Sequence, residues 1–184
     1  MKQSSYVLSG VFGALMWVVA FALGGAVVLV TNVPLLGGLV QVLVLACLFA
    51  INSKIVRRFG AMTIQAVVFT IIAWPTIVFG PPGWYKIPVG LILGLIVDLM
   101  LRATKYTNWG RKLAIAAGFV ICVPFLWWAM KVFGLEEAAE KLKPLMYAIM
   151  AVYAIEGIIG AWLGIKLFDR RLKHFSFVES MEDA

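Results

Sequence analysis

Six long apolar runs, separated by short charged gaps, constrain this chain more than any other feature of it. They cover roughly residues 6–31, 34–53, 61–79, 84–101, 113–132 and 144–168. A bilayer core requires about 20 mostly apolar residues per helix, and backbone in lipid must satisfy its own hydrogen bonds. The pattern predicts an all-α membrane protein: one integral domain built as a six-transmembrane-helix bundle, followed by a tail over 169–184.

The basic residues predict the orientation, because positively charged loops stay cytoplasmic. Lys2, the gap with Lys54, Arg57 and Arg58, the gap with Arg102, Lys105, Arg111 and Lys112, and the tail with Lys166, Arg170, Arg171 and Lys173 fall on one side. That side holds twelve of the sixteen Lys and Arg residues. The other side holds Lys86, Lys131, Lys141 and Lys143, the last three balanced by Glu136, Glu137 and Glu140. Both termini are therefore expected in the cytoplasm (N-in/C-in).

Composition removes several function classes. With 63% hydrophobic and 14% charged residues, the chain has no room for a separate soluble domain. The net charge of +7 reads as topology anchors rather than a nucleic-acid surface, since no basic face interleaved with aromatics exists. The first run is longer than a signal-peptide core and lacks an A-x-A-like cleavage site, so it reads as retained. Cys47 and Cys122 lie inside apolar runs and offer neither a disulfide framework nor metal-ligand spacing. His174 is the only histidine, and no phosphate-binding loop of the G-x-x-x-x-G-K-[ST] type is present. No Ser/His/Asp set can be assembled, so no enzymatic activity, cofactor or metal is expected.

Helices in lipid associate through small residues and polar links. Small stripes occur in the first run (Gly10, Gly13, Ala14, Gly24, with Ala22 and Ala26 adjacent), the fourth (Gly90, Gly94) and the sixth (Gly157, Gly160, Ala161, Gly164). Pro75 is expected to kink the third helix near its outer end, and Pro124 the fifth.

Two acids fall at membrane depth, where a charge is costly and usually faces the bundle interior. Glu156 shares a helix face with Tyr153, Gly160 and Gly164 by steps of three and four, and reads either as a ligand contact or as an internal hydrogen-bonded group. Asp98 precedes Arg102 by four residues, which reads as a local ion pair. Aromatics gather at the outer ends: Trp74, Trp84, Tyr85, Trp127, Trp128 and Tyr147. An interfacial belt explains such residues in general. The adjacent Trp127 and Trp128 nonetheless differ by about 100° around a helix, so one of them looks inward. These rings, with Lys86 and Glu156, would suit a flat polar heterocycle. Asn32 and Gln41 bracket the first outer connection. It belongs to a stretch, 3–53, without any charge, and reads as a short polar turn or as a lid.

The segment FGPPGWYKIPVGLILGLIVDLMLR (79–102) leads a Gly/Pro turn into a helix carrying Gly90, Gly94 and Asp98. With the chain's size and six runs, it resembles the substrate-binding S component of an energy-coupling factor (ECF) vitamin transporter. The resemblance implies capture of a vitamin-like micronutrient in an outward-facing pocket of a prokaryotic plasma-membrane protein. It further implies a transmembrane coupling subunit and two ATPase subunits as partners. That family's first helix carries a small A-x-x-x-A docking patch; here the inner part of the first run reads Gly10-x-x-x-Ala14, which the resemblance assigns to partner binding.

Two other classes stay open on the sequence. A self-sufficient secondary transporter or channel would use Glu156 as a proton or ion relay. A membrane enzyme would need a cluster of His, Asp or Glu at one depth, and none is visible.

Overall fold

The computed structural model describes residues 2–31, 34–76 and 81–174. Among these the chain is helical throughout, with no strand: α1 (Lys2–Thr31), α2 (Pro34–Ile55), α3 (Ala61–Ala73), α4 (Lys86–Ala103), α5 (Asn108–Val132), the short α6 (Glu136–Leu142) and α7 (Met146–Arg170). By length and composition, Ser5–Val27, Asn108–Val132 and Glu136–Arg170 are each apolar enough to cross a membrane. Gln41–Ile55 and Ala61–Ala73 are shorter apolar helices.

The long helices close a ring in the order α1, α2, α7, α5, α4, α3, with α2 also touching α5 across the middle. Glycines bring the backbones together. A Cβ on Gly160 would lie 2.2 Å from the Leu43 carbonyl oxygen, and one on Gly164 2.4 Å from that of Cys47. Contacts that advance together in this way make α2 and α7 parallel. Gly157 meets Ala116 while Tyr153 meets Phe119, so α5 and α7 run in opposite directions. On α1 it is Gly13 that sits tightly against Gln65 and Val68 of α3.

Large apolar side chains remain on the outside of this ring. On α1 these include Val7, Val11, Leu15, Val18 and Phe21, and on α7 Ile155, Ile158, Ile159, Trp162, Leu163 and Leu167. Water would penalise contiguous apolar surface of this kind, whereas lipid accepts it.

The α3–α4 pair explains the 79–102 segment. Lys86, Gly90, Gly94 and Asp98 step by four along α4 and follow one ridge against α3. Gly90 fits against Thr70 and Ala66, and Gly94 against Thr63 and Met62. The Asp98 carboxylate, 0% exposed, accepts from the Met62 amide (3.2 Å), the Thr63 amide (2.9 Å) and the Thr63 hydroxyl (2.7 Å). It thereby caps α3, whose preceding residue Gly60 has φ 89° and contributes no side-chain cap. The expected Asp98–Arg102 pair is thus replaced by an interhelical cap, and Arg102 lies over the Phe59 ring instead. At the other end of α3, the Lys86 ammonium donates to the carbonyls of Ala73 (3.2 Å) and Thr76 (2.6 Å). From Lys86 to Asp98 is about 18 Å of helix, the same as from Ala61 to Ala73. An anion therefore meets the amide end of α3 and a cation its carbonyl end, as the helix dipole favours.

Pro75 does not kink α3; the helix stops at Ala73, with Trp74 still in helical geometry (φ −48°, ψ −52°), because Pro75 has no N–H with which to continue the ladder. Pro124 does lie inside α5. The charged ends of α2, α5 and α7 are tied together. Lys54 pairs with Asp169 at 2.8 Å, and the buried Arg111 donates to Ser53 O, Asn108 Oδ1 and Tyr106 O. Further inside, Asn52 donates to Ser9 Oγ (3.2 Å) and Gln65 Oε1 (2.7 Å), a polar link joining α1, α2 and α3.

Candidate functional site

A small cavity of about 20 Å³ lies among five helices, room for about one water molecule. Met16 of α1, Leu45 of α2, Phe69 and Thr70 of α3, Lys86, Val89, Gly90 and Leu93 of α4, and Phe119, Cys122 and Leu126 of α5 line it. Its position follows from local sequence. The glycine at 90 draws α3 and α4 together, while α7 closes the ring on the far side of α2 and α5 and adds no side chain to the wall.

Of the polar residues named from the sequence, Lys86 lines this cavity and Gln41 lies near it but outside its wall. Lys86 is 2% exposed; its stem lines the wall while its ammonium holds the end of α3. Gln41 follows the same face of α2 as Leu45, one turn away. It is 4% exposed and donates from Nε2 to Ala20 O at 2.9 Å. Its Oε1 is enclosed and has no partner among the described residues. Gly24 makes this possible, since a Cβ there would lie 1.6 Å from Gln41 Nε2.

The aromatics divide. Trp74 and Trp84 meet with ring centroids 3.6 Å apart, Trp84 being 56% exposed. Tyr85 is fully buried and donates its hydroxyl proton to Pro81 O at 2.7 Å, locking the turn into α4. Trp127 and Trp128 separate as the 100° argument requires. Trp127 is half-buried, with Nε1 enclosed and without a partner among the described residues. Trp128 is exposed beside Phe125. Lys131 lies 4.8 Å over the Trp127 ring and pairs with Glu140 of α6 at 2.7 Å, so α6 is strapped across the end of α5. Tyr147, 78% exposed, points away from the interior.

Glu156 is not brought to the cavity. It sits on α7 beside Gly157, which packs on Ala116 of α5, and the cavity wall contains no α7 residue. Its Oε2 is enclosed with no partner among the described residues. Tyr153 lies edge-on to Phe119, centroids 6.4 Å apart, one layer behind the wall. The expected bracket of one ligand between Lys86 and Glu156 is therefore not formed. Gly10 makes an ordinary 3.9 Å approach to Val68 of α3, and Ala14 is half-buried. Asn32 lies outside the described residues. The apolar wall (Met16, Phe69, Phe119, Cys122, Leu126) was not singled out from the sequence, because a cavity-lining Leu or Phe looks the same in sequence as a lipid-facing one.

Helices that bury one face against each other, join through polar links in the interior and leave large apolar side chains outside are the marks of an integral membrane protein. Residues 4–176 match the family model described as a hypothetical bacterial integral membrane protein, Trep_Strep. The chain belongs to the Trep_Strep family. No curated protein and no solved structure matches it. The Trep_Strep match runs from α1 through the turn after α7, so the cavity and all its bordering residues lie within it.

Proposed function

We propose that this Trep_Strep protein is a six-span, N-in/C-in membrane domain that captures a vitamin-like heterocyclic micronutrient from the outer side of the cell membrane. The spans are α1 to α5 and α7. Three features support that count: the alternating basic gaps, the parallel run of α2 and α7, and the opposed run of α5 and α7. The observation that carries the capture reading is the apolar cavity walled in part by the Lys86 stem, with the unpartnered Gln41 carboxamide oxygen on the α2 face of the wall residue Leu45, one turn away. An enclosed acceptor without a partner is costly, and a ligand donor would satisfy it.

A pocket for a small heterocycle needs about 300 Å³ or more, so capture requires the cavity of about 20 Å³ to widen. The outer turn holding Trp74, Trp84 and Tyr85, and α6 strapped through Glu140 to Lys131, are the elements whose displacement would admit a ligand. Trp127 would then offer its indole N–H and ring. The ECF resemblance adds a transmembrane coupling subunit and two ATPases as partners; the chain itself would carry no chemistry. Mass spectrometry of small molecules released from the purified, denatured protein tests this reading. A heterocycle of vitamin size in near-stoichiometric amount supports it. Failure to retain any member of an added vitamin panel overturns it.

The half-buried Glu156, whose Oε2 is enclosed and has no partner among the described residues, favours one second reading, a proton or ion relay in a self-sufficient transporter. Uptake into proteoliposomes by this chain alone, driven by a proton gradient and lost in Glu156→Gln, would select that reading instead.

A further inference from the structure

A second concavity lies at the opposite, strongly basic end of the molecule. It is a groove of about 310 Å³ between α5 and α7, lined by Asn108, Lys112, Trp162, Lys166, Asp169 and Arg170. Trp162 lines the α7 wall, Trp109 lies outside the α5 wall beside the lining Asn108, and each has a lysine over its ring. Lys112 Nζ lies 4.6 Å from the Trp109 centroid on α5, and Lys166 Nζ 4.6 Å from the Trp162 centroid on α7. The one carboxylate of the groove, Asp169, is already paired with Lys54 at 2.8 Å. Lys112, Lys166 and Arg170 therefore leave the groove with an excess of positive charge.

Towards the middle of the molecule the same two helices expose only apolar side chains. Leu113 on α5 is 47% exposed, and on α7 Ile158 is 37% and Ile155 59% exposed. On α7 the cations Arg170 and Lys166 at the rim, Trp162 one turn further in and an apolar wall beyond repeat the cross-section of a phospholipid: headgroup, interface and acyl chain. On α5 Trp109 lies at the rim and Lys112 one turn further in. Tryptophan prefers the interfacial level, and basic pockets between transmembrane helices recognise anionic headgroups.

We infer that the α5–α7 groove is a binding site for one anionic phospholipid, its phosphate held among Lys112, Lys166 and Arg170 and its acyl chains along Leu113, Ile155 and Ile158. A soluble phosphate shares the headgroup chemistry but would make no use of the apolar wall. This site is independent of solute capture at the other end of the bundle.

Native mass spectrometry of the full chain in detergent, titrated with dioleoylphosphatidylglycerol, dioleoylphosphatidylcholine and glycerol 3-phosphate, tests the inference. Phosphatidylglycerol is expected to bind at least about tenfold more tightly than phosphatidylcholine. Each basic residue near an anionic lipid changes affinity about fivefold. The double variant Lys112→Gln/Lys166→Gln should therefore weaken phosphatidylglycerol roughly 25-fold and leave phosphatidylcholine unchanged. Arg102→Gln/Lys105→Gln, which removes the same charge at the end of α4, should change it less than about twofold. Equal loss in both double variants would mean diffuse charge and would overturn the site. So would equal affinity for the two lipids, or glycerol 3-phosphate binding as tightly as phosphatidylglycerol.

Discussion

Asp98→Ala probes the α3–α4 pair directly. The carboxylate is 0% exposed and accepts from the Met62 amide, the Thr63 amide and the Thr63 hydroxyl. The first amides of a helix have no intrahelical acceptor, so its removal strands two enclosed donors. Each buried unsatisfied donor costs about 1–3 kcal/mol, which puts the loss near 4 kcal/mol. For a chain of this size about 1 kcal/mol shifts Tm by roughly 2–4 °C, so Asp98→Ala should melt roughly 8–16 °C below the parent. Asp98→Asn keeps one acceptor oxygen for the amides and should lose about half as much. The assay is thermal unfolding of the full chain in mild detergent, followed by intrinsic tryptophan fluorescence. Arg102→Gln is the control, because Arg102 lies over Phe59 at the end of α4. An Asp98→Ala melt within about 2 °C of the parent would refute the cap. A loss as large in Arg102→Gln would return the role of Asp98 to a local ion pair.

Three further outcomes follow from the packing and the charge pattern. Gly160→Ala places a methyl 2.2 Å from the Leu43 carbonyl oxygen; it should destabilise the bundle by about 1–3 kcal/mol in the same melt. Gly25→Ala meets nothing within 4 Å, so it should be neutral or gain about 0.5–1 kcal/mol from the stiffer helix backbone. Single cysteines at Glu140 and Lys105, in a chain whose own Cys122 is buried and Cys47 half-buried, should label from opposite sides in intact cells. Maleimide should reach position 140 directly and position 105 only after permeabilisation, and labelling of both from outside would contradict the N-in/C-in arrangement.

Much of the architecture was legible in sequence because lipid makes burial a matter of run length and charge position. The four-residue spacing of Gly90 and Gly94 marked a packing face, and both glycines do meet α3, whereas Lys86 and Asp98, read as a ligand contact and a local ion pair, prove to continue the same ridge. What that face joined was hidden. Helical spacing places Asp98 beside Arg102 on the same helix, whereas the amide end of α3 offers three donors from another helix, which only the tertiary arrangement reveals. Trp127 turned inward and Trp128 outward because neighbours on a helix cannot share a direction. The depth reading of Glu156 succeeded only in part. Its distance along α7 indicates mid-helix, but the side of α2 and α5 on which α7 lies depends on the ring order, to which periodicity is blind. Helix α6 was read as part of an outer connection; the four-residue spacing of Glu137 and Lys141, paired at 2.5 Å, was the available signal for it.

The capture reading rests on the cavity under Lys86, and blocking that cavity tests it most directly. Isothermal titration of the purified chain with the heterocycle that co-purifies with it should show saturable binding. Leu126→Trp, which drives an indole into the wall, should abolish that binding while the protein still melts cooperatively. Glu156→Gln, on the helix outside the wall, should leave it within about twofold, a difference of about 0.4 kcal/mol. Binding that survives Leu126→Trp, or that disappears with Glu156→Gln, would contradict the account.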